Sequence, residues 1–330
     1  MSTQFGYTMM TEQAGPTQLV DDVVAAESVG FDFAVCSDHY FPWLDAQGHA
    51  PYAWSVLGAA AYATERIGLM SYVTCPTTRY HPVVVAQKAA TVQLLADGRF
   101  ALGLGSGENL NEHVAGRGWP SVRTRQDKLA EAIAIIRSLH SGETVTVHGR
   151  HFDVDNARLW DLPESGGVPI GAAVSGDWGI AAFGPLADHM IATEPRPELV
   201  DSWNSHPRTT RIGDDARAIG QIPICWDRDR DDAIARAHEQ FRWFGLGWPV
   251  NSELPSPRAF GSATRSVTPD DIAQSVACGP DLDRIVESVS AYWKAGFTDI
   301  ALVQIGGRNQ QQFLNEVAPA LLGKLRSAAP

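Results

Sequence analysis

The sequence predicts an α/β protein of the TIM (β/α)8 barrel class, and three observations predict it. Short apolar runs rich in β-formers alternate with helical stretches along the chain. The strand-like runs are apolar throughout, as in a parallel sheet buried on both faces. Eight such units, with two insertions, fit a chain of 330 residues. A doubly wound open sheet is the runner-up. No linker divides the chain, so residues 1–330 read as one domain with insertions near 141–165 and 241–270.

The elements follow in order. FGYTM (5–9) is the first strand, and PTQLVDDVVAAESVG (16–30) is a helix that starts at Pro16 and stops at Gly30. FDFAVC (31–36) is the second strand, followed by a helix over 53–65. IGLMSYVT (67–74) and RFALGLG (99–105) are the third and fourth, with a helix over 81–95 between them. An amphipathic helix spans 123–140. TVTVHGRHFDVD (144–155) alternates around a glycine and reads as a hairpin insertion. VPIGAAV (168–174), HMIAT (189–193) and QIPICW (221–226) resume the strands. The Trp-rich and then polar stretch 241–270 reads as the second insertion. A helix over 281–297, the strand DIALVQI (299–305) and a helix over 311–325 close the chain.

Composition excludes some functions. With 26 basic and 38 acidic residues the net charge is −12, which argues against a general nucleic-acid partner. No apolar run approaches the roughly 18 residues of a membrane span, and MSTQFGYTMMTEQ lacks the marks of a signal peptide. Cys36, Cys75, Cys225 and Cys278 form no CxxC pair and read as reduced thiols of a cytoplasmic protein.

Barrel enzymes carry their sites at the C-terminal ends of the strands. Here those ends gather Thr11-Glu12, Asp38-His39, Val73-Thr74-Cys75, Gly107-Glu108 with Asn111, Val174-Ser175-Gly176 and Thr193-Glu194. SDHYFPW (37–43) places an ionisable pair against Tyr40, Phe41 and Trp43, a combination suited to a pocket wall. GLGSGE resembles a phosphate loop, but the next helix is expected only near Arg123, so a dinucleotide site is rejected. His39, His49, His81 and Cys75 match no zinc-ligand spacing, and no metal is expected.

SDHYFPW, YVTCPTTRYHP and GRFALGLGSGENLNEH together resemble the luciferase-like barrel oxidoreductases that use coenzyme F420, in the branch of the F420-dependent glucose-6-phosphate dehydrogenases. The resemblance implies a bacterial luciferase-like barrel, usually a homodimer, with a deazaflavin at its C-terminal mouth. It implies that Asp38 lines the cofactor site and that His39 takes the substrate hydroxyl proton. Glu12 would pair with His39, Trp43 would shape the substrate pocket, Glu108 would be the acid near the ring, and Asn111 would hold the cofactor. It further implies a non-proline cis peptide at Tyr72-Val73 beneath the ring, with Tyr72, Val73, Cys75 and Gly107 binding the cofactor and Trp43, Thr193, Arg196 and Trp248 meeting the substrate. Ala173, Ser175 and Gly176 would offer backbone N–H groups to the cofactor tail, and Arg79, Arg117 or Arg123 could meet its charge. An imidazole titrates near neutrality and suits the base, a carboxylate behind it would orient the ring, and the cofactor would carry the hydride. Trp43 and Trp54 would supply flat apolar walls.

The sequence departs from the sugar-phosphate branch at the substrate. Arg196 is the one plausible phosphate ligand, near Thr193; the matching positions at Ser262 and Gln274-Ser275 are not basic, and Arg258 or Arg265 would have to move. The second insertion is aromatic, with Trp243, Phe244 and Trp248. The expected substrate is therefore a small molecule, an alcohol/carbonyl pair other than glucose 6-phosphate. The alternatives are an FMN-dependent monooxygenase, or a sugar-6-phosphate dehydrogenase with a rearranged phosphate site.

Overall fold

The computed structural model describes residues 2–164, 166–206 and 216–330. Eight parallel strands close into a barrel. Gln4–Met9 lies between Asp299–Gln304 and Phe33–Cys36; Gly68–Ser71, Phe100–Leu104, Ile170–Ala173 and His189–Ala192 follow. Ala218–Cys225 closes the ring by pairing with both His189–Ala192 and Asp299–Gln304. Closure explains the continuous apolar strands. One face meets the helical shell, and the other meets an interior of Phe33, Val35, Met70, Tyr72, Ile191, Ile219 and Ala301. Gly171 makes room for that interior, since a Cβ there would lie 2.5 Å from Met70 Cε.

Most elements fall where the periodicity puts them. Pro16–Val29 ends on Gly30, whose φ of 98° is the left-handed stop. Val122–His140 starts at Ser121, whose hydroxyl accepts the Thr124 N–H. The antiparallel pair Val145–His148 and Asp153–Ala157 is the expected hairpin.

Three expectations need correction. A short helix, Asn109–Glu112, begins directly after Glu108, well before residue 123. The closing helix is two, Gln310–Glu316 and Ala318–Ala328, because Pro319 has no N–H to continue the first. The stretch 241–270 is mostly helical: a 3-10 turn over Arg242–Leu246, then Trp248–Asn251, Pro257–Ala263 and the start of Pro269–Ser275. Ser256 and Thr268 cap the last two, each directly before a proline at the first helical position, so the polar residues are helix starts. An unassigned helix, Arg230–Phe241, leads into this insertion.

Candidate active site

The loops after the first, second and fourth strands meet at the barrel mouth. His39 Nδ1 lies 3.4 Å from Glu12 Oε1, and His39 Nε2 lies 3.5 Å from Glu108 Oε1. One imidazole thus sits between two carboxylates from different strands. Glu12 is buried, and its Oε2 accepts from Ser37 Oγ at 2.5 Å and Thr11 Oγ1 at 3.1 Å. Asn111 donates to Glu108 Oε1 at 2.5 Å, while its oxygen accepts the N–H groups of Tyr40 and Phe41.

The hydrogen bonds choose the tautomer of the neutral ring. Nδ1 faces the Phe41 carbonyl at 3.1 Å and Glu12 beyond it, both acceptors, so Nδ1 carries the hydrogen. Nε2 then keeps its lone pair and makes no hydrogen bond to Glu108 Oε1, which lies 3.5 Å away; only the protonated ring would pair with both carboxylates.

Below this trio lies a second charged group. Asp38 Oδ2 accepts from Thr74 Oγ1 at 2.7 Å; Oδ1 accepts from Arg79 Nη2 and Tyr80 Oη, both at 3.1 Å. Arg79 also donates to the Asp38 carbonyl at 2.6 Å, and its Nε lies 3.6 Å from Glu112 Oε1. Burial raises the Glu112 carboxyl to about 7 despite Arg79, with Glu108 and Asp38 adding to the rise. Both oxygens of Asp38 thus have partners within the protein. Arg79 is a buried partner of Asp38 and Glu112. Arg123 lies over the Trp178 ring at 5.1 Å, and Arg117 is exposed.

The third and fifth strand ends form the remaining rim. The Tyr72-Val73 peptide is cis, as expected. The Tyr72 hydroxyl is buried without a hydrogen-bond partner among the described residues. Cys75 is buried, and burial pushes its thiol well up, so it is no nucleophile. Gly107 has a φ of 91°, and a Cβ there would lie 2.8 Å from Glu112 Cγ, so glycine lets the loop cross Glu112. Ala173 is half-buried, Ser175 is exposed, and Gly176 borders open space. This rim, with an orphaned phenol, an open glycine edge and apolar side chains, fits a planar heteroaromatic ring with a polar tail.

The tryptophans lie in different surroundings. Trp43 borders His39, its ring centroid 4.9 Å away, and stacks on Trp243 at 4.2 Å with planes 11° apart. Trp54 packs outside the barrel against Phe100 and supplies no wall to the site. Trp248 is 42% exposed, and Trp243 lies against Trp43, Phe241 and Phe244. The Thr193 side chain is exposed, and its carbonyl accepts from Tyr292 Oη at 2.6 Å. Arg196 is tied to Glu198 at 2.8 Å and to the Ser175 carbonyl. Among the described residues no group of three His, Cys, Asp or Glu is placed to hold a metal, and no helix is long and apolar enough to cross a membrane.

The luciferase-like monooxygenase family model matches residues 1–299. An F420-dependent glucose-6-phosphate dehydrogenase of Microbacterium testaceum is 34% identical over 98% of this chain and 97% of its own. A relative of the same name from Nocardia farcinica is 32% identical over 99% of both chains. Among solved structures, an F420-dependent secondary alcohol dehydrogenase in complex with an F420-acetone adduct superposes with a TM-score of 0.88 at 27% identity, covering 98% of this chain and 99% of that one. The coenzyme F420 dependent tetrahydromethanopterin reductase of Methanopyrus kandleri shares the fold, with a TM-score of 0.73 at 20% identity over 97% of this chain and 100% of that one.

Proposed function

The chain belongs to the luciferase-like family, and we propose that it is an F420-dependent dehydrogenase that interconverts an uncharged secondary alcohol and its carbonyl compound. The observation that carries the reading is His39 held between Glu12 and Glu108. Coenzyme F420, when bound, supplies hydride acceptance and donation at a ring carbon. The cofactor names of the relatives and of the alcohol dehydrogenase support that assignment.

The protein's own groups manage protons and position. His39 Nε2 takes the hydroxyl proton of the alcohol, and in reverse returns it to the carbonyl oxygen. Glu12 faces the Nδ1 side and stabilises the ring when it becomes an imidazolium. Glu108 Oε1 is held by the Asn111 amide, which would leave Oε2 to exchange a proton with a bound cofactor. Tyr72, Val73, Cys75 and Gly107 form the bed of the cofactor, with Asp38 and Asn111 fixing the loops around it. Ala173, Ser175 and Gly176 receive its tail, and Trp43 walls the substrate from water.

The substrate differs from that in the names of the curated relatives. A phosphate dianion needs several charge-assisted donors. Arg196 is already paired with Glu198, and Ser262, Gln274 and Ser275 carry no charge. The protein acts on its small-molecule substrate as a cytoplasmic homodimer.

The test is turnover by the purified protein with F420, followed by loss of the oxidised deazaflavin absorbance. Propan-2-ol and other compact secondary alcohols should reduce the cofactor, and glucose 6-phosphate should not. Efficient turnover of glucose 6-phosphate, or a preference for FMN with oxygen-dependent turnover, would overturn the reading.

A further inference from the structure

We propose that Trp243, carried by the second insertion, is the specificity-determining residue: as the plate behind Trp43 it sets the pocket depth beside His39 and restricts the site to compact, uncharged secondary alcohols and ketones. The proposal deepens the dehydrogenase reading and rests on it for the position of the substrate.

The rings form a ladder. His39 contacts Trp43, Trp43 stacks flat on Trp243, and Trp243 leans on Phe241 at 4.7 Å. Phe260 meets Trp43 edge-on at 5.2 Å, so Trp43 is only 6% exposed. Trp43 cannot swing away for a bulky substituent unless Trp243 moves first. Removing the indole of Trp243 would leave space that Trp43 or a ligand can fill.

The insertion is fastened to the loop that carries Glu108. The Asn109 N–H donates to the Ser252 carbonyl and its side-chain amide to the Glu253 carbonyl, both at 2.9 Å. Trp119 Nε1 and Arg125 Nη2 hold the two oxygens of Glu253, at 2.9 Å and 3.2 Å. The plate and the proposed acid therefore keep a fixed relation.

The polarity of the plate matters as much as its shape. Trp243 Nε1 is buried and has no hydrogen-bond partner among the described residues. It is a neutral donor. Arg242 is turned to Thr264 Oγ1 and the Glu239 carbonyl, and Arg258 and Arg265 are exposed. With none of these guanidinium groups turned to it, the wall offers a phosphate no counter-charge.

The test is calorimetric binding of propanone, acetophenone and glucose 6-phosphate to the F420-loaded protein, wild type, W243F and W243A. F420 affinity is measured alongside. The wild type should bind propanone in preference to the other two. W243A should improve acetophenone relative to propanone by about tenfold or more. W243F should lie between, with F420 affinity within about twofold throughout. An acetophenone-to-propanone ratio unchanged in both variants, or glucose 6-phosphate displacing propanone from the wild type, would overturn the proposal. If W243A fails to fold, the ratio in W243F decides by its direction. Ketone binding in the expected order without hydride transfer would uphold Trp243 as the selector and sink the dehydrogenase reading instead.

Discussion

The side-chain oxygen of Asn111 accepts the Tyr40 backbone N–H at 2.7 Å while its nitrogen donates to Glu108 at 2.5 Å, so one amide holds both loops of the site. Asn111→Asp keeps the acceptor and loses the donor. It also sets a second carboxylate against Glu108, and two carboxylates at that distance do not both ionise readily. The acidic limb of the rate–pH profile should therefore move to higher pH, while cofactor affinity changes little. Asn111→Ala should behave worse, because the part-buried Tyr40 and Phe41 N–H groups lose their acceptor, at about 0.5–1.5 kcal/mol each. An unmoved profile in Asn111→Asp would remove Glu108 from the proton chemistry.

His39→Ala should lower kcat by roughly 10²–10⁴ and leave the F420 dissociation constant within a few-fold. His39 Nδ1 is occupied by the Phe41 carbonyl, so added imidazole should restore part of the rate. Steady-state rates and a fluorescence titration check both statements. Undiminished turnover would assign the base to another group.

Arg79→Met should destabilise the fold by about 3–5 kcal/mol, since Asp38 and Glu112 would lose their buried counter-charge. Arg79→Lys should recover only part of it, because an ammonium cannot reach the Asp38 carbonyl, the Asp38 carboxylate and Glu112 together. Urea unfolding of the three proteins measures this. A loss below about 1 kcal/mol in Arg79→Met would mean the pair is better solvated than its burial indicates.

The legible parts of the chain were those with local causes. The barrel strands, the Gly30 stop and the hairpin around Gly149 follow from periodicity and backbone preference. Glu12, His39 and Glu108 lie at three strand ends, and barrel closure brings them together. What stayed hidden depends on partners far apart in sequence. Nothing local to Arg79 says that it points down to Asp38 and Glu112 rather than out to solvent. Trp243 and Trp248 look alike in sequence, yet only Trp243 has Trp43 opposite it. The caps before Pro257 and Pro269 were readable, and the polar composition around them masked the signal.

Asp22 gives a pH dependence of stability that does not involve the site. It faces inward from the helix Pro16–Val29, where Gln311 Nε2 donates to Oδ1 at 2.6 Å and Tyr7 is close by. Burial raises its carboxyl to about 6, and the Gln311 and Gln18 amides offset only part of that rise. The sign follows from linkage. The folded state binds this proton more tightly than the unfolded chain, where the group titrates near 4. The contribution is therefore full below about pH 4 and is lost as pH rises through about 6. Its size is on the order of 3 kcal/mol at most. Asp22→Asn keeps the shape and an amide that needs no deprotonation. The variant should match or exceed wild-type stability at pH 8 and lose its advantage toward pH 4. Denaturant unfolding across that range measures the difference. A variant less stable than wild type at pH 8, by the same margin as at pH 4, would show that the ionised carboxylate is well accommodated and that its burial carries no proton penalty.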